Sequence, residues 1–177
     1  MPFERKILTL AAISLILMGE CMARSKTVGA AFSFSGISLS YEHYTDSDSF
    51  MDISLKAECG DLFFGKAAYP GISTSFTWNL IYARITSRNG NEIRFFAGPG
   101  MTVGWANDIY KPEGVIFGLK GRAGAECSFS RNITISASLS PVIGTHMIVA
   151  KDFVDMRHYR MGLLSAVLPE IGIRYTF

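Results

Sequence analysis

The residues of this sequence best suited to acid–base chemistry are its three histidines, His43, His146 and His158. An imidazole that activates a hydroxyl and is oriented by a carboxylate would make a nucleophilic hydrolase, and three imidazoles could instead bind a metal ion. No local hydrolase signature accompanies them, so we expect solvated loop histidines and predict no catalytic residue, cofactor or metal site. Candidate partners lie near them in the chain: Glu42, Ser47, Ser49, Asp152 and Asp155.

A second motif, Gly98-Pro99-Gly100 followed by Gly104, has the glycine content of a phosphate-binding loop. Such loops open a helix, and no helical periodicity follows this one. We therefore interpret these glycines as small residues at a place where strands bend or the protein interior is crowded.

The N-terminus has the parts of a secretory signal peptide. Arg5 and Lys6 supply positive charge, and the apolar run after them is about a dozen residues long, shorter than the roughly 20 of a spanning helix. Small residues at Cys21 and Ala23 predict cleavage after Ala23. Acylation of Cys21 is the alternative, and the preceding Glu20 disfavours it.

Residues 1–23 are thus the predicted signal peptide, and residues 24–177 have the size of one domain. The net charge is +2 and no basic block is present, which argues against a nucleic-acid partner. Two cysteines remain, Cys59 and Cys127. An exported protein could join them in a disulfide, but each falls on the apolar face of a predicted strand, which favours two separate thiols.

Alternating apolar and polar residues dominate the mature sequence, and no stretch has a convincing helical period. The pattern predicts eight strands over residues 27–44, 50–59, 62–69, 73–86, 92–104, 115–130, 133–149 and 159–177. In the first of these the alternation changes phase at Ser35-Gly36, which we interpret as a bulge within one strand.

The connections are expected to alternate in length, as in a meander of hairpins through a membrane, with short turns and both termini on the periplasmic side. Arg88-Asn89-Gly90-Asn91 is the strongest hairpin signal. The predicted short turns are 60–61, 87–91 and 130–132, and the longer connections are 45–49, 105–114 and 150–157; the connection at 69–72 is short as well.

The final strand shows the pattern most clearly. Ile171, Ile173, Tyr175 and Phe177 share one face, while Glu170 and Arg174 share the other. We predict that the first face contacts lipid, that the charged pair lies inside, and that this strand closes a barrel against residues 28–34.

A soluble lipocalin-like barrel would also alternate, with its apolar face inward. The membrane interpretation is favoured by nearly balanced charges on the polar faces, which could pair inside a narrow lumen, and by aromatic residues near strand ends. The charges are Asp52, Lys56, Glu58, Glu92, Arg94, Lys120, Arg122, Glu126, Glu170 and Arg174. The aromatic residues are Tyr41, Tyr44, Tyr69, Trp78, Tyr82, Trp105, Phe129, Tyr159, Tyr175 and Phe177.

The terminal pattern Ile171-x-Ile173-x-Tyr175-x-Phe177, with the hairpins before it, resembles the small eight-stranded outer-membrane β-barrels of Gram-negative bacteria, the OmpX and OmpA-transmembrane-like class. The resemblance implies an all-β, closed, antiparallel up-and-down transmembrane barrel in the cell outer membrane. It also implies a last strand recognised by the barrel assembly machinery, and contact with outer-membrane lipid and lipopolysaccharide.

The expected function is non-enzymatic: a monomeric barrel with a structural or surface-interaction role in the envelope, exerted through its outer loops. An eight-stranded barrel is filled by its own side chains, which disfavours an open pore. A lipid A-modifying deacylase or acyltransferase using the histidines is the first alternative, a narrow small-solute channel the second, and a soluble secreted barrel the third.

Overall fold

The computed structural model describes residues 25–59, 71–87, 91–108, 111–130, 132–149 and 154–177. These residues form strands and one short helix. Their bounds are β1 (Lys26–Ser33), β2 (Gly36–Asp46), β3 (Ser49–Glu58), β4 (Gly71–Thr86), β5 (Glu92–Asp108), β6 (Lys111–Ser128), β7 (Ile133–Leu139), β8 (Val142–Val149), β9 (Val154–His158), α1 (Arg160–Leu164) and β10 (Glu170–Thr176). None of the helices in this part of the chain is long and apolar enough to cross a membrane.

Eight of the strands close into a ring. Strands β1 to β6 pair in sequence, β6 pairs with β7, β7 with β10, and β10 returns to β1, all antiparallel. The register from Thr27–Thr176 to Phe32–Ile171 places the last strand against the first, as the sequence predicted. The protein is therefore a closed eight-stranded antiparallel barrel, and the β8–β9 hairpin continues its wall beside the first half of β6.

The two ends of the barrel differ in what they contain. We call the end that carries Lys26 and Phe177 the terminal end; it also carries the turn at 47–48. The distal end carries the turn at 34–35, the end of β3 at Glu58 and the β8–β9 hairpin.

The prediction of one bulged strand over residues 27–44 is wrong, because this stretch is the β1–β2 hairpin with a turn at 34–35. A two-residue hairpin reverses the phase of the alternation just as a bulge does, so the pattern could not separate the two. Length could have done so, since a tilted membrane strand needs only about 9–11 residues. Gly36 follows the turn with φ +153°, and a Cβ there would collide with the carbonyl oxygen of Ala57.

Because of this error, the connection at 45–49 and the connection after β3 were assigned to the wrong ends of the barrel. The connection at 45–49 is a tight turn at the terminal end, whereas the chain leaves β3 at the distal end. Residues 62–69, predicted as a strand, lie outside the described residues, and β3 and β4 pair directly with each other. The predicted loop over residues 105–114 is also wrong, because β5 continues to Asp108 and β6 begins at Lys111.

The barrel wall is interrupted at one level in two places, between β7 and β8 and between β9 and β10. Ser140-Pro141 separates β7 from β8, and residues 159–169 leave the wall between β9 and β10 and include α1. The Ser165 hydroxyl donates to the carbonyl oxygen of Ser140 at 2.6 Å, and the Ser140 amide donates to the carbonyl oxygen of Ser165 at 3.3 Å, so the two breaks hold each other. The prediction of a continuous strand over residues 159–177 is therefore wrong.

Side-chain alternation gives the wall a polar inner face and an apolar outer face. On β4, Ser73, Ser75, Thr77 and Asn79 are buried inside, while Leu80 points outward and is 56% exposed. A bulge between Ile81 and Ala83 explains why the alternation blurs there. This orientation is the reverse of a lipocalin-like barrel, whose apolar face lies inward.

Candidate functional site

The lumen contains a set of alternating charges, which we call the interior network. Adjacent strands bring its members to one level, in the half of the lumen nearer the terminal end, because inward positions recur at every second residue. Glu42 lies beside Asp52, and Arg94 beside Glu126, in directly paired positions of neighbouring strands. The members are Glu42, Asp52, Arg94, Arg122, Glu126 and Arg174.

The ion pairs run across the lumen without a gap. Arg122 Nη1 lies 2.9 Å from Asp52 Oδ2 and 3.6 Å from Glu42 Oε1. Arg174 then bridges two acids, with Nε 3.1 Å from Glu42 Oε1 and Nη1 2.7 Å from Glu126 Oε2. The alternating charges neutralise one another where water is largely excluded.

Arg94 completes the network at the terminal side, with Nε 2.9 Å from Glu126 Oε1. The Tyr44 hydroxyl donates to the same carboxylate oxygen at 3.3 Å. Glu126 therefore receives two guanidinium groups and a phenol, and it is 1% exposed. The central position of this carboxylate makes it the member whose loss should disturb the network most.

Aromatic rings fill the space beside the network. Phe96 is fully buried, with the guanidinium carbons of Arg122 and Arg174 at 5.2 and 5.9 Å from its ring centre. Phe50 meets it edge to face at 5.3 Å. Cations near a ring face are attracted by its quadrupole, so Phe96 adds to the neutralisation of both arginines.

Helix α1 closes the lumen from the distal side. Tyr159 and Met161 are buried and pack with Ala106, Ile116 and Val142 as an apolar plug. Asp108 of β5 holds the helix in place: its carboxylate accepts the amides of Arg160 at 3.1 Å and Met161 at 2.9 Å. The end of β5 thus anchors a helix that lies between β9 and β10 in the chain.

We expect Asp108→Ala to lower the free energy of unfolding by about 1–3 kcal/mol, because it leaves the Met161 amide buried and unsatisfied. Denaturant titration of the reconstituted protein measures this. Asp48→Ala is the matched control, since that aspartate is exposed at the other end. An equal, small effect for both variants would contradict the capping role.

Between the plug and the interior network lies a second charged set. Lys56 is 3.2 Å from Glu58, which also accepts the Ser73 hydroxyl at 2.7 Å. Lys120 donates to Ser75 at 3.1 Å. The enclosed cavity here measures about 30 Å³, room for water rather than for a solute. Glu170 also lines this cavity and accepts the Ser38 hydroxyl at 3.4 Å.

The outer face presents apolar side chains around the ring. On β5 the outward positions run from Phe95 to Trp105, which matches the length of a tilted membrane strand. Among the described residues of β1 to β7 and β10, the outward positions between these two levels carry no Asp, Glu, Lys or Arg. Exposed aromatic rings lie toward both ends: Tyr82, Phe129, Tyr175 and Phe177 near the terminal end, and Phe34 and Trp105 near the distal end.

Two of the aromatic residues predicted for the outer belt point inward, and one lies outside the described residues. Tyr44 points into the lumen, and Tyr159 belongs to the apolar plug, so neither contributes to an outer belt. Tyr69 is not described. The predicted faces of the last strand are confirmed, because Ile171, Ile173, Tyr175 and Phe177 are exposed and Arg174 is buried.

The barrel does not bring the three histidines together. His43 lies on β2 near the terminal end, paired with Lys26, whereas His146 and His158 lie toward the distal end. His146 is buried, with Nε2 3.0 Å from the carbonyl oxygen of Ala106, and His158 is exposed. The prediction of solvated loop histidines is therefore wrong for His146, which is buried on β8. Asp152 lies outside the described residues, and among those described no cluster of His, Cys, Asp and Glu could hold a metal ion.

Both cysteines are free, as predicted. Cys127 lies on β6 near the terminal end, opposite Ile93 and Ile135, while Cys59 follows the distal end of β3. The barrel separates them, so they cannot form a disulfide with each other.

Three residues that organise the lumen were not predicted to lie there: Glu42, Asp108 and His146. Glu42 alternates correctly with its outward neighbours, so the pattern already pointed it inward. Asp108 was assigned to a loop, and His146 lies beyond the strand break at Ser140-Pro141, where the phase could not be extrapolated.

Known structures provide the comparison for this geometry. The N-terminal β-barrel domain of Pseudomonas aeruginosa OprF superposes with a TM-score of 0.56 at 12% identity, covering 86% of this chain and 96% of that domain. Neisserial surface protein A (NspA) gives a TM-score of 0.41 at 15% identity, with 86% of this chain and 94% of that chain covered. Ail, the attachment invasion locus protein of Yersinia pestis, gives a TM-score of 0.32 at 13% identity, also with 86% and 94% covered. No protein-family model and no curated protein sequence matches the chain.

The likeness to the OprF domain supports the fold and nothing finer, because the identity is low. Together with the closed ring, it shows that the protein has the architecture of the small eight-stranded outer-membrane β-barrels. The resemblance inferred from the last strand and the hairpins is thereby confirmed for the fold.

Proposed function

We propose that this protein is a monomeric integral barrel of the Gram-negative outer membrane, with a closed lumen and a non-enzymatic role in envelope structure or surface contact. The uncharged apolar band around the ring carries the proposal. A contiguous exposed apolar surface of this extent is stable in lipid and a liability in water. The contacts with other molecules would be made by the distal-end loops.

Cell fractionation tests the location directly. The protein should sediment with outer membranes, resist extraction by carbonate and need detergent for release, because lipid covers its band. Its folded form should also migrate differently from its heated form on a denaturing gel. Recovery in the soluble periplasmic fraction without detergent would contradict the proposal.

The closed lumen argues against the channel alternative. A solute would have to pass the plug around Met161 and then the interior network, where Arg122 and Arg174 span the lumen between acids. We therefore expect no steady conductance from the purified protein in planar lipid bilayers. The OprF barrel domain, measured in the same bilayers, provides a comparison of matched architecture. Stable single-channel steps from this protein would contradict closure.

The lipid-modifying enzyme is supported less well, because the candidate histidines lie at opposite ends and His146 is buried against a backbone carbonyl. Single replacements of His43, His146 and His158, with lipid A profiled by mass spectrometry, test it. We expect the same profile in every variant and in a deletion strain. A lipid A species lost in the deletion strain and in one histidine variant would favour the enzyme.

The partners follow from the same proposal. Lipid and lipopolysaccharide would contact the band, and the assembly machinery would recognise the last strand, whose outward face ends on Phe177. The pairing of β10 with β1 makes this strand the closing seam. Cross-linking of assembly intermediates through the last strand would test that recognition.

A further inference from the structure

The terminal end of the barrel opens into a cavity that the proposed function does not use. We call it the vestibule; it measures about 780 Å³ and is lined by residues of several strands and turns. This size lies within the range of about 300–1,000 Å³ that is usual for small-molecule sites. The interior network lies below it, with Arg94 and Tyr44 as its inner wall, so the vestibule is a cup and not the mouth of a channel.

Hydroxyl groups dominate the lining. A hydroxyl both donates and accepts hydrogen bonds, so a wall of this kind matches a ligand that itself carries many hydroxyls. Asn91 adds an amide with both functions. The hydroxyl residues are Ser25, Ser47, Ser128, Ser130, Thr134 and Thr176.

The charged groups of the vestibule are balanced and already paired. Arg84 lies 2.7 Å from Asp48 and 3.9 Å from Glu92, and Arg94 is held by Glu126. The carboxylate of Asp46 accepts the Ser47 amide at 2.7 Å. An ionic ligand would have to displace these partners. The wall hydroxyls are bonded too, as between Ser128 and Thr134 at 3.3 Å, but each hydroxyl can take part in a further hydrogen bond with a neutral polar ligand.

One aromatic ring supplies flat apolar surface at the rim of this polar cup, because Phe129 lines the rim and is 58% exposed. The ring of Tyr44 is already covered by Phe50, at 5.3 Å between ring centres, and by the guanidinium of Arg94, at 5.4 Å. A ring beside hydroxyls suits a ligand with both apolar C–H faces and polar edges.

We propose that the vestibule binds a short neutral oligosaccharide, whose hydroxyls pair with the wall and one of whose sugar faces packs on Phe129. This inference goes beyond the proposed function and does not depend on it, because the cup exists whether or not the lumen conducts or the loops bind a partner.

Titration of the isotope-labelled protein in detergent micelles with maltotriose and with chitotriose tests this inference. We expect amide shifts at Asn91, Ser128 and Thr134 that saturate with a Kd in the range of about 1 mM, typical of a weak polar site. Ser128→Trp, which fills the cup, should weaken binding at least tenfold, as should Asn91→Trp at the rim if the first variant does not fold. Val154→Trp is the matched control, since it adds the same ring to an exposed position at the distal end.

Three results would overturn the inference. The first is the absence of saturable shifts with either trisaccharide up to about ten times that concentration. The second is equal binding by the folded Ser128→Trp or Asn91→Trp protein. The third is saturation at the same amides by inorganic sulfate and not by the sugars, because that would make the vestibule an anion site.

Discussion

We expect Glu126→Gln to lower the free energy of unfolding by about 3–5 kcal/mol. The substitution keeps the shape of the side chain but removes the charge that Arg94 and Arg174 share at 2.9 and 2.7 Å. Breaking a buried ion pair by removing one partner leaves an uncompensated charge where water cannot reach it. Denaturant titration of the protein folded into lipid vesicles gives the measurement.

Two further variants decide whether the loss comes from the network. Glu113→Gln removes an acid that accepts the exposed Trp105 indole at 3.1 Å, and it should change stability by less than about 0.5 kcal/mol. The double variant Glu126→Gln with Arg174→Gln should be less destabilised than the sum of its single variants, with a coupling of about 0.5–3 kcal/mol. Additive effects would show that the two residues do not act as a pair.

The second large effect is expected on the outer face, from Leu119→Arg. Leu119 points outward from the middle of β6 between Met101 and Ile143 and is 70% exposed. In a bilayer, an arginine near the midplane of a barrel costs about 2–4 kcal/mol. In a soluble protein the same exposed substitution would cost almost nothing, so this variant separates the two environments.

The measurement is the free energy of folding into vesicles, compared with folding into detergent micelles. Ser87→Arg, at the exposed position that follows β4 at the terminal end, is the control and should leave the energy nearly unchanged. The penalty should shrink in micelles, which deform around a charge. If Leu119→Arg and Ser87→Arg are equally stable in vesicles, the apolar band does not lie in the hydrocarbon.

The sequence alone determined the features that depend on local alternation. The two faces of the last strand and the inward position of Arg122, Glu126 and Arg174 follow from a period of two, because a strand turns each successive side chain to the opposite face. The pairing of the last strand with the first follows from the closed barrel that this pattern predicts. The class of fold follows as well, since a chain of alternating strands with a polar inner face has few stable closures.

Local alternation could not decide where a strand ends. A two-residue hairpin and a bulge both reverse the phase, so Ser35-Gly36 was misassigned, and with it the end to which the turn at 45–49 belongs. The later turns at 87–91 and 130–132 remained at the terminal end because the misassigned first hairpin was offset by a strand counted over residues 62–69. The predicted total of eight strands therefore depended on two errors that cancelled, whereas the predicted faces of the strands did not.

Tertiary structure decided the rest, because it depends on partners distant in the chain. Arg174 finds Glu42 only when the last strand closes the ring, and α1 is too short to be stable without the Asp108 carboxylate and the apolar plug around it. The strand order places His43 at the opposite end of the barrel from His146 and His158, which spacing in the sequence could not show. Composition and periodicity thus define the wall of this barrel, and only register and closure determine what its charges bind and where its lumen is shut.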